Sequence, residues 1–270
     1  MKIKIGYEIA YECPQPTPML LLLRVHPSRE NDLLAPDEIM TEPRVPVQSY
    51  LDGFGNLCSR LTAPTGIMRL TTDTVIESSP VQDLTEPEAG QVDVRHLPAE
   101  HLVYLLASRY CETDKLSDIA WSLFGTSPPG WQRVQAICDF VHAHIRFDYM
   151  QARATKSAFD VYSERAGVCR DFAHLAVAFC RCLNIPARYC TGYLGDIGVA
   201  RDPGPRDFSA WFEAYLGHRW YTFDARHNRP RIGRVLMGRG RDAVDVPLSN
   251  SFGQTTLKTF RVWTDELAGA

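Results

Sequence analysis

The fold is decided by residues 165–193, which read RAGVCRDFAHLAVAFCRCLNIPARYCTGY. From Phe172 onward, apolar side chains recur at intervals of three and four residues, at Leu175, Ala176, Phe179 and Leu183. That spacing predicts a helix with one continuous apolar stripe. Pro186 stops the helix, because a proline disfavours helical geometry in the residue before it. The segment therefore predicts a buried helix that begins near Cys169.

The thiol of Cys169 falls in the first turn of this helix. Backbone N–H groups without helical partners point outward there, and the helix dipole places its positive end at the same point. Both effects favour a thiolate, so we expect the pKa of Cys169 to be lowered, as a nucleophile requires. The alternative is a buried structural cysteine, which is common for this residue type.

A second informative stretch, residues 209–224, reads SAWFEAYLGHRWYTFD. It predicts a β-hairpin that turns at Gly217–His218, since a glycine-first pair is typical of two-residue turns. Counting outward from the turn places Ser209 and Asp224 on one face as diagonal neighbours, at roughly 7–8 Å. A histidine at position 209 could reach Asp224 at that distance, whereas a serine is shorter and is no general base.

The N-terminal region has the period of β-strands. Alternate positions are apolar or β-branched in two runs, Ile3, Ile5, Tyr7, Ile9 and Tyr11, and Met68, Leu70, Thr72, Thr74 and Ile76. Such alternation predicts strands with one buried face. We expect a small all-β domain over residues 1–80, a linker rich in Pro, Glu and Gln over 81–98, and a core domain over 99–270.

Residues 165–193 resemble the nucleophile segment of the bacterial transglutaminase-like superfamily of cysteine enzymes. Residues 209–224 resemble that family's second and third motifs, in which a histidine followed by Ala-Trp is paired with an aspartate on the next strand. The N-terminal segment is similar to the β-domain that often precedes such cores. The resemblance implies an α+β protein with a papain/transglutaminase-like core, in which the nucleophile helix packs on an antiparallel sheet.

Position by position, the resemblance makes Cys169 the nucleophile and Asp224 the carboxylate that orients the base, but Ser209 stands at the position of the base. Family members transfer acyl groups from amides, and relatives include peptidases and amidases. We therefore expect a thiol-dependent acyl transferase, amidase or cysteine peptidase with an atypical triad, acting on protein or peptide amides. The alternative is a catalytically silent homologue that binds a peptide or a protein.

Another histidine could replace the missing base. His227 ranks first, although an extended strand would point it away from Asp224, so it can approach that carboxylate only if the strand ends there. His174 lies about 140° round the helix from Cys169 and is expected to pack locally. For the oxyanion, the backbone N–H of Cys169 and a residue upstream such as Tyr149 are candidates.

Composition restricts the partners and the location. The chain of 270 residues carries a net charge of −3, which gives no reason to expect nucleic acid or membrane as a partner. Six arginines between residues 226 and 241 are expected to form a solvated basic face. Charges interrupt the first residues and the longest apolar run, residues 19–23, is short, so we expect a cytoplasmic protein without a signal or a membrane span.

The eight cysteines are expected to be reduced in that compartment. Cys180, Cys182 and Cys190 lack the spacing of a zinc site, and Cys180 fits the apolar stripe of the helix. We therefore expect neither a metal nor a cofactor. The oligomeric state is left open.

Overall fold

The computed structural model describes residues 1–201 and 204–267. The α-helices in this part of the chain are α1 (Thr113–Phe124), α2 (Trp131–His144), α3 (Ala158–Glu164) and α4 (Cys169–Cys182). The strands are β1 (Lys2–Cys13), β2 (Thr17–Leu21), β3 (Met40–Glu42), β4 (Gln48–Leu51), β5 (Leu57–Ala63), β6 (Gly66–Glu77), β7 (Arg146–Phe147), β8 (Ala166–Gly167), β9 (Ala187–Tyr193), β10 (Ser209–Leu216), β11 (Arg219–Phe223), β12 (Val235–Gly240), β13 (Ser249–Ser251) and β14 (Thr256–Leu267). Short 3₁₀-helices lie at Pro27–Asp32, Val94–His96, Ala99–Leu105 and Tyr149–Gln151.

The N-terminal region consists of two antiparallel sheets, in the orders β14-β1-β6-β3 and β13-β2-β5-β4. The two predicted strands are confirmed as β1 and β6, and their apolar positions are buried at the predicted period of two. These side chains form one apolar core between the sheets. Side chains of the second half of the chain, such as Tyr193, Val235 and Met237, belong to the same core.

Two strands from the far end of the chain complete these sheets. Residues 249–267 were assigned above to the core domain, but β13 pairs with β2, and β14 pairs with β1 from Lys2–Leu267 to Glu12–Thr256. The sequence of a strand does not predict so distant a partner, since the alternation of apolar residues is the same whichever strand it pairs with. The division of the chain at residues 80 and 98 stays a prediction.

The predicted α+β core is present. Helix α4 packs on β9 and β10 of an antiparallel sheet ordered β11-β10-β9-β12, and α1, α2 and α3 cover its other sides. Because α4 is enclosed on every side, nearly all of its residues are buried. In the described ranges, 1–201 and 204–267, no helix has the length and apolarity that crossing a membrane requires. The cytoplasmic location stays a prediction.

The predicted hairpin forms with the predicted register. Leu216 pairs with Arg219 and Phe212 with Phe223, and both turn residues have positive φ, 51° at Gly217 and 70° at His218. A two-residue turn of type I′ requires such angles at both positions. The pairing stops at Phe223, so the expected rungs that would join residue 211 to 224 and residue 209 to 226 are not formed. The chain is therefore free to turn at Asp224.

Candidate active site

The start of α4 is fixed by a local hydrogen-bond arrangement. The Val168 N–H donates to Asp171 Oδ2 at 3.0 Å, and the guanidinium of Arg170 donates to Asp171 Oδ1 at 3.1 Å. Asp171 is fully buried. A Cβ at Gly167 would lie 2.6 Å from Asp171 Oδ2, too close for any side chain. Glycine at 167 and aspartate at 171 thus determine where Cys169 lies.

The thiol of Cys169 differs from the prediction in its pKa. The residue is half-buried, and its S–H points to the Phe208 carbonyl oxygen at 4.0 Å. Desolvation and, after it, the charge of Asp207 raise the pKa of Cys169 to about 11, because Arg226 and backbone N–H groups offset these two effects only partly. The expected lowering was wrong, because the loss of solvent outweighs the helix terminus. The thiol is protonated at neutral pH and needs a base.

Ser209 lies beside the thiol and begins strand β10. Both residues line a cavity of about 320 Å³. Ser209 is 6% exposed, and its hydroxyl has no hydrogen-bond partner within the described residues. It also lines a smaller cavity of about 70 Å³, in which His227 takes part. Ser209 therefore belongs to the wall that the two cavities share.

Asp224 and His227 form a hydrogen-bonded pair. The His227 Nδ1 lies 2.9 Å from Asp224 Oδ2, and the His227 backbone N–H donates to Asp224 Oδ1 at 3.0 Å. The chain turns directly after β11, with the Asn228 N–H donating to the Asp224 carbonyl at 2.7 Å. The condition set by the sequence, a strand that ends at Asp224, is thus met. With Nδ1 as the donor, Nε2 can accept a proton.

Arg234 is a residue of the site that the sequence did not indicate. Its guanidinium donates to Asp224 Oδ2 at 2.9 Å and also binds Asp83 in the predicted linker. Burial opposes ionisation of Asp224, but Arg234 and His227 together hold the pKa of this carboxyl well below its usual range. The carboxylate is therefore charged and able to orient the imidazole.

The arginine run is only partly the solvated face that its composition predicted. The side chains of Arg231 and Arg234 are 2% and 7% exposed, so that prediction was wrong for both. Their partners, Asp83, Asp224 and the Gly195 carbonyl, lie far from them in sequence or on other elements. The spacing of the arginines cannot predict these hydrogen bonds and ion pairs, because the partners lie outside the run.

Asp207 is a second residue that the sequence did not indicate. It lines both cavities together with Tyr149, Phe208 and Ser209. Although the residue is exposed, desolvation of its carboxyl group raises the pKa of Asp207 to about 6, against the opposing effects of the Phe208 N–H and Arg226. A carboxyl with a raised pKa thus lines the same cavity as Cys169. Tyr149 stays a candidate for the oxyanion site.

Of two other histidines, His174 has a structural position and His218 an exposed one. His174 is fully buried, and its Nε2 accepts a hydrogen bond from the Ala243 N–H at 3.1 Å. His218 is exposed in the hairpin turn. Within residues 1–201 and 204–267, no group of three or more His, Cys, Asp or Glu side chains is arranged to hold a metal ion.

The predicted site residues thus form a series. Cys169 and Ser209 share the larger cavity, Ser209 and His227 share the smaller one, and His227 is bonded to Asp224. A thiol, a polar wall, an imidazole and a carboxylate follow one another in space. The arrangement contains the groups that thiol-dependent acyl transfer uses.

Known proteins resemble this chain in sequence and in fold. Residues 118–225 match the core profile of the transglutaminase-like superfamily, a span that contains Cys169, Ser209 and Asp224 but stops before His227. A proposed cysteine protease from Cytophaga hutchinsonii is 30% identical in sequence, with a TM-score of 0.86 over 100% of this chain and 92% of that one.

Two mycobacterial proteins are similar as well. An uncharacterized protein from Mycobacterium leprae is 24% identical over 224 residues, which make up 78% of this chain and 77% of that protein. An uncharacterized protein from Mycobacterium tuberculosis H37Rv is 27% identical over 221 residues, 73% of this chain and 68% of that protein. The fold is that of a family of thiol-dependent enzymes, and the chain belongs to the transglutaminase-like superfamily.

Proposed function

We propose that the protein is a thiol-dependent enzyme that transfers or hydrolyses the acyl group of a peptide or protein amide. Cys169 is the nucleophile, and His227, oriented by Asp224, replaces the histidine that is missing at position 209. The observation that carries the proposal is the 2.9 Å hydrogen bond between His227 Nδ1 and Asp224 Oδ2. It gives the imidazole the tautomer and the support that a base in a triad requires.

In the proposed reaction, His227 takes the proton of Cys169 while the sulfur bonds to the amide carbon. The C–N bond then breaks, His227 returns the proton to the leaving amine, and a thioester remains. Water or a second amine attacks the thioester, and its proton passes through His227 to the departing thiolate. Ser209 lies on the wall along which these protons move. Each bond broken is matched by one formed, and no other reactant is required.

The pKa of the thiol makes this base necessary. With a pKa of about 11, a free thiol is ionised in only about one molecule in 10⁴ at pH 7. A positioned base contributes on the order of 10²- to 10⁴-fold in rate. A serine at position 209 contributes no basicity, so the rate depends on His227.

The test is to trap the thioester. Hydroxylamine converts acyl-enzymes into hydroxamates, which can be measured with a panel of peptide amides as acyl donors. Cys169→Ala is expected to abolish the hydroxamate, and His227→Asn to lower kcat about 10²- to 10⁴-fold. His218→Asn is the matched control, since His218 is exposed in the hairpin turn and asparagine tolerates its positive φ. Full activity of His227→Asn beside an inactive Cys169→Ala would contradict the assigned base.

The second candidate is a catalytically silent peptide- or protein-binding homologue. It is favoured by the raised pKa of Cys169 and by the serine at position 209. This function would be supported if no donor of the panel gave a hydroxamate while peptides bound equally to the native protein and to Cys169→Ala. Isothermal titration of the same peptides provides that comparison.

A further inference from the structure

We infer that the cavity at Cys169 accepts an apolar acyl group, and that negatively charged acyl groups are excluded from it. The inference rests on the proposed function, because it describes the acyl donor of that reaction. The cavity of about 320 Å³ has the size and the mostly apolar walls of small-molecule sites in proteins.

Apolar walls enclose this cavity on two sides. One side comes from the core and includes Val168 and Ala210. The other comes from the segment between β12 and β13, which contributes Val246, Pro247 and Leu248. Its charged members are Arg170, whose guanidinium already binds Asp171 and the Arg153 carbonyl, and Asp207 on the wall shared with the smaller cavity. An acyl chain that ends in a carboxylate would therefore meet one cation that is already paired with Asp171 and one carboxylate that repels it.

The smaller cavity has the opposite chemistry. Charged and polar side chains line it, namely Asp196, Arg206, Asp207, Arg226, His227 and Arg231. His227 must give a proton to the leaving amine, so the amine side of the substrate faces this cavity. The acyl chain then extends to the other side of the scissile bond, into the apolar cavity with Cys169. The change of polarity across Ser209 thus fixes the orientation of the substrate.

The size of the effect follows from burial. Each methylene group moved from water to an apolar site strengthens binding about fourfold. Burying a carboxylate without a partner costs far more than a methylene group contributes. A six-carbon acyl chain is therefore expected to react at least about tenfold faster than either an acetyl group or a chain of equal length that ends in a carboxylate.

The experiment uses p-nitrophenyl esters, because nitrophenolate leaves without a proton from the enzyme. Acetyl, hexanoyl and adipoyl monoesters are compared by nitrophenolate release and by the mass of the acylated protein, with Cys169→Ala as the blank. The hexanoyl ester is expected to acylate Cys169 at least about tenfold faster than the other two. Equal rates, or a preference for the adipoyl ester, would overturn the inference.

Two variants locate the selectivity in this cavity. Leu248→Lys supplies a cation for the adipoyl carboxylate and is expected to reduce the ratio of hexanoyl to adipoyl rates at least about tenfold, whereas Leu106→Lys, at a 61% exposed leucine that does not line the cavity, leaves the ratio unchanged. Ala152→Lys, on an exposed part of the cavity wall, repeats the test if Leu248→Lys unfolds. An unchanged ratio in the folded variant refutes the assignment.

The outcomes separate this inference from the proposed function. Acylation of Cys169 without selectivity would overturn the apolar cavity alone. Selective acylation together with no amide turnover would support the cavity and count against the amide reaction. If none of the esters acylated Cys169, both would fail.

Discussion

We predict that an imidazole can reach Asp224 from two positions of this chain, 209 and 227, and only position 227 holds a histidine. A residue at 209 would approach along β10, whereas His227 approaches from the turn after β11. Both routes end at the same buried carboxylate, which Arg234 keeps charged. A base can therefore move from one position to the other while the carboxylate stays in place.

Exchange of the base between these positions can be measured. In a His227→Asn background, Ser209→His is expected to restore amide turnover about tenfold or more, because a general base contributes on the order of 10²- to 10⁴-fold. In the native background the same change is expected to lower turnover, since two imidazoles would compete for Asp224. The kcat of the four proteins provides the comparison. A rise in kcat for Ser209→His in the native background would show that His227 is no base.

Asp207 provides a prediction about pH. Desolvation is the larger cause of the raised pKa of Cys169, and the negative charge of Asp207 adds to it. Asp207→Asn removes that charge and is expected to lower the thiol pKa from about 11 while leaving it above the ordinary value. The rate of iodoacetamide labelling at residue 169 against pH measures the midpoint. An upward shift in the variant, or a native midpoint below 8.5, would contradict the assignment.

Single residues were predictable where a motif contained them. The position of Cys169 at a helix start and that of Asp224 directly after the hairpin could be predicted from the apolar spacing and the turn. The pKa of the thiol could not, because desolvation depends on the residues 207–210 and 243–249 that surround it. Arg234 could not either, since its partners are distant in sequence.

At the scale of elements, the short segment before α4 places Cys169, the proposed nucleophile. Gly167→Ala would bring a methyl group within 2.6 Å of Asp171 Oδ2 and 2.7 Å of its Cβ, so the chain must shift. Overpacking of this kind costs about 1–3 kcal/mol, and we expect that loss in the free energy of unfolding together with slower labelling of Cys169. Chemical denaturation measures the first effect.

Gly90→Ala is the matched control for this change. A Cβ at Gly90 meets nothing within 4 Å, so we expect a change of no more than about 0.5 kcal/mol. Equal losses in both variants would show that the contact with Asp171 is unimportant.

His174 joins α4 to the segment that covers the cavity. Burial, with Arg170 and Arg181 adding to it, lowers the pKa of His174 well below its ordinary value. The unfolded chain therefore takes up a proton below about pH 6.5 that the folded protein does not, so stability is present above that pH and is lost as the pH falls. We expect Tm to fall less between pH 7 and pH 5 in His174→Gln than in the native protein. Equal slopes would contradict this, whatever the absolute Tm.

Elements with a clear period were predicted correctly, among them β1, β6 and α4. The end of β11 at Phe223 was not predicted, because nothing in the sequence breaks the strand there. The two-residue strands β7 and β8 are too short to have a period.

At the scale of the whole molecule, the N-terminal sheets and the core share apolar side chains. The core of the N-terminal sheets includes Tyr193, Val235 and Met237, and β14 pairs with one edge of β1. Distant pairing of this kind was beyond prediction from one sequence. Because of this pairing, only an experiment can show whether the chain divides into independent domains at residues 80–98.

We expect a fragment of residues 1–98 not to fold alone, because it lacks β13, β14 and the shared side chains. Circular dichroism of the fragment during heating is the measurement, with the full chain, for which we expect one cooperative transition, as the control. Cooperative unfolding of the isolated fragment would instead support an independent N-terminal domain.

The pairing of β1 with β14 also means that the fold can be completed only late in protein synthesis. The ribosome makes β14 more than two hundred positions after β1, which at ordinary translation speeds is a delay of roughly 10 to 50 seconds. During that interval one edge of β1 is open to strands of other nascent chains. The cavity wall from residues 243–249 is also made late, shortly before β14, so the thiol gains its enclosure more than seventy residues after it has been synthesised.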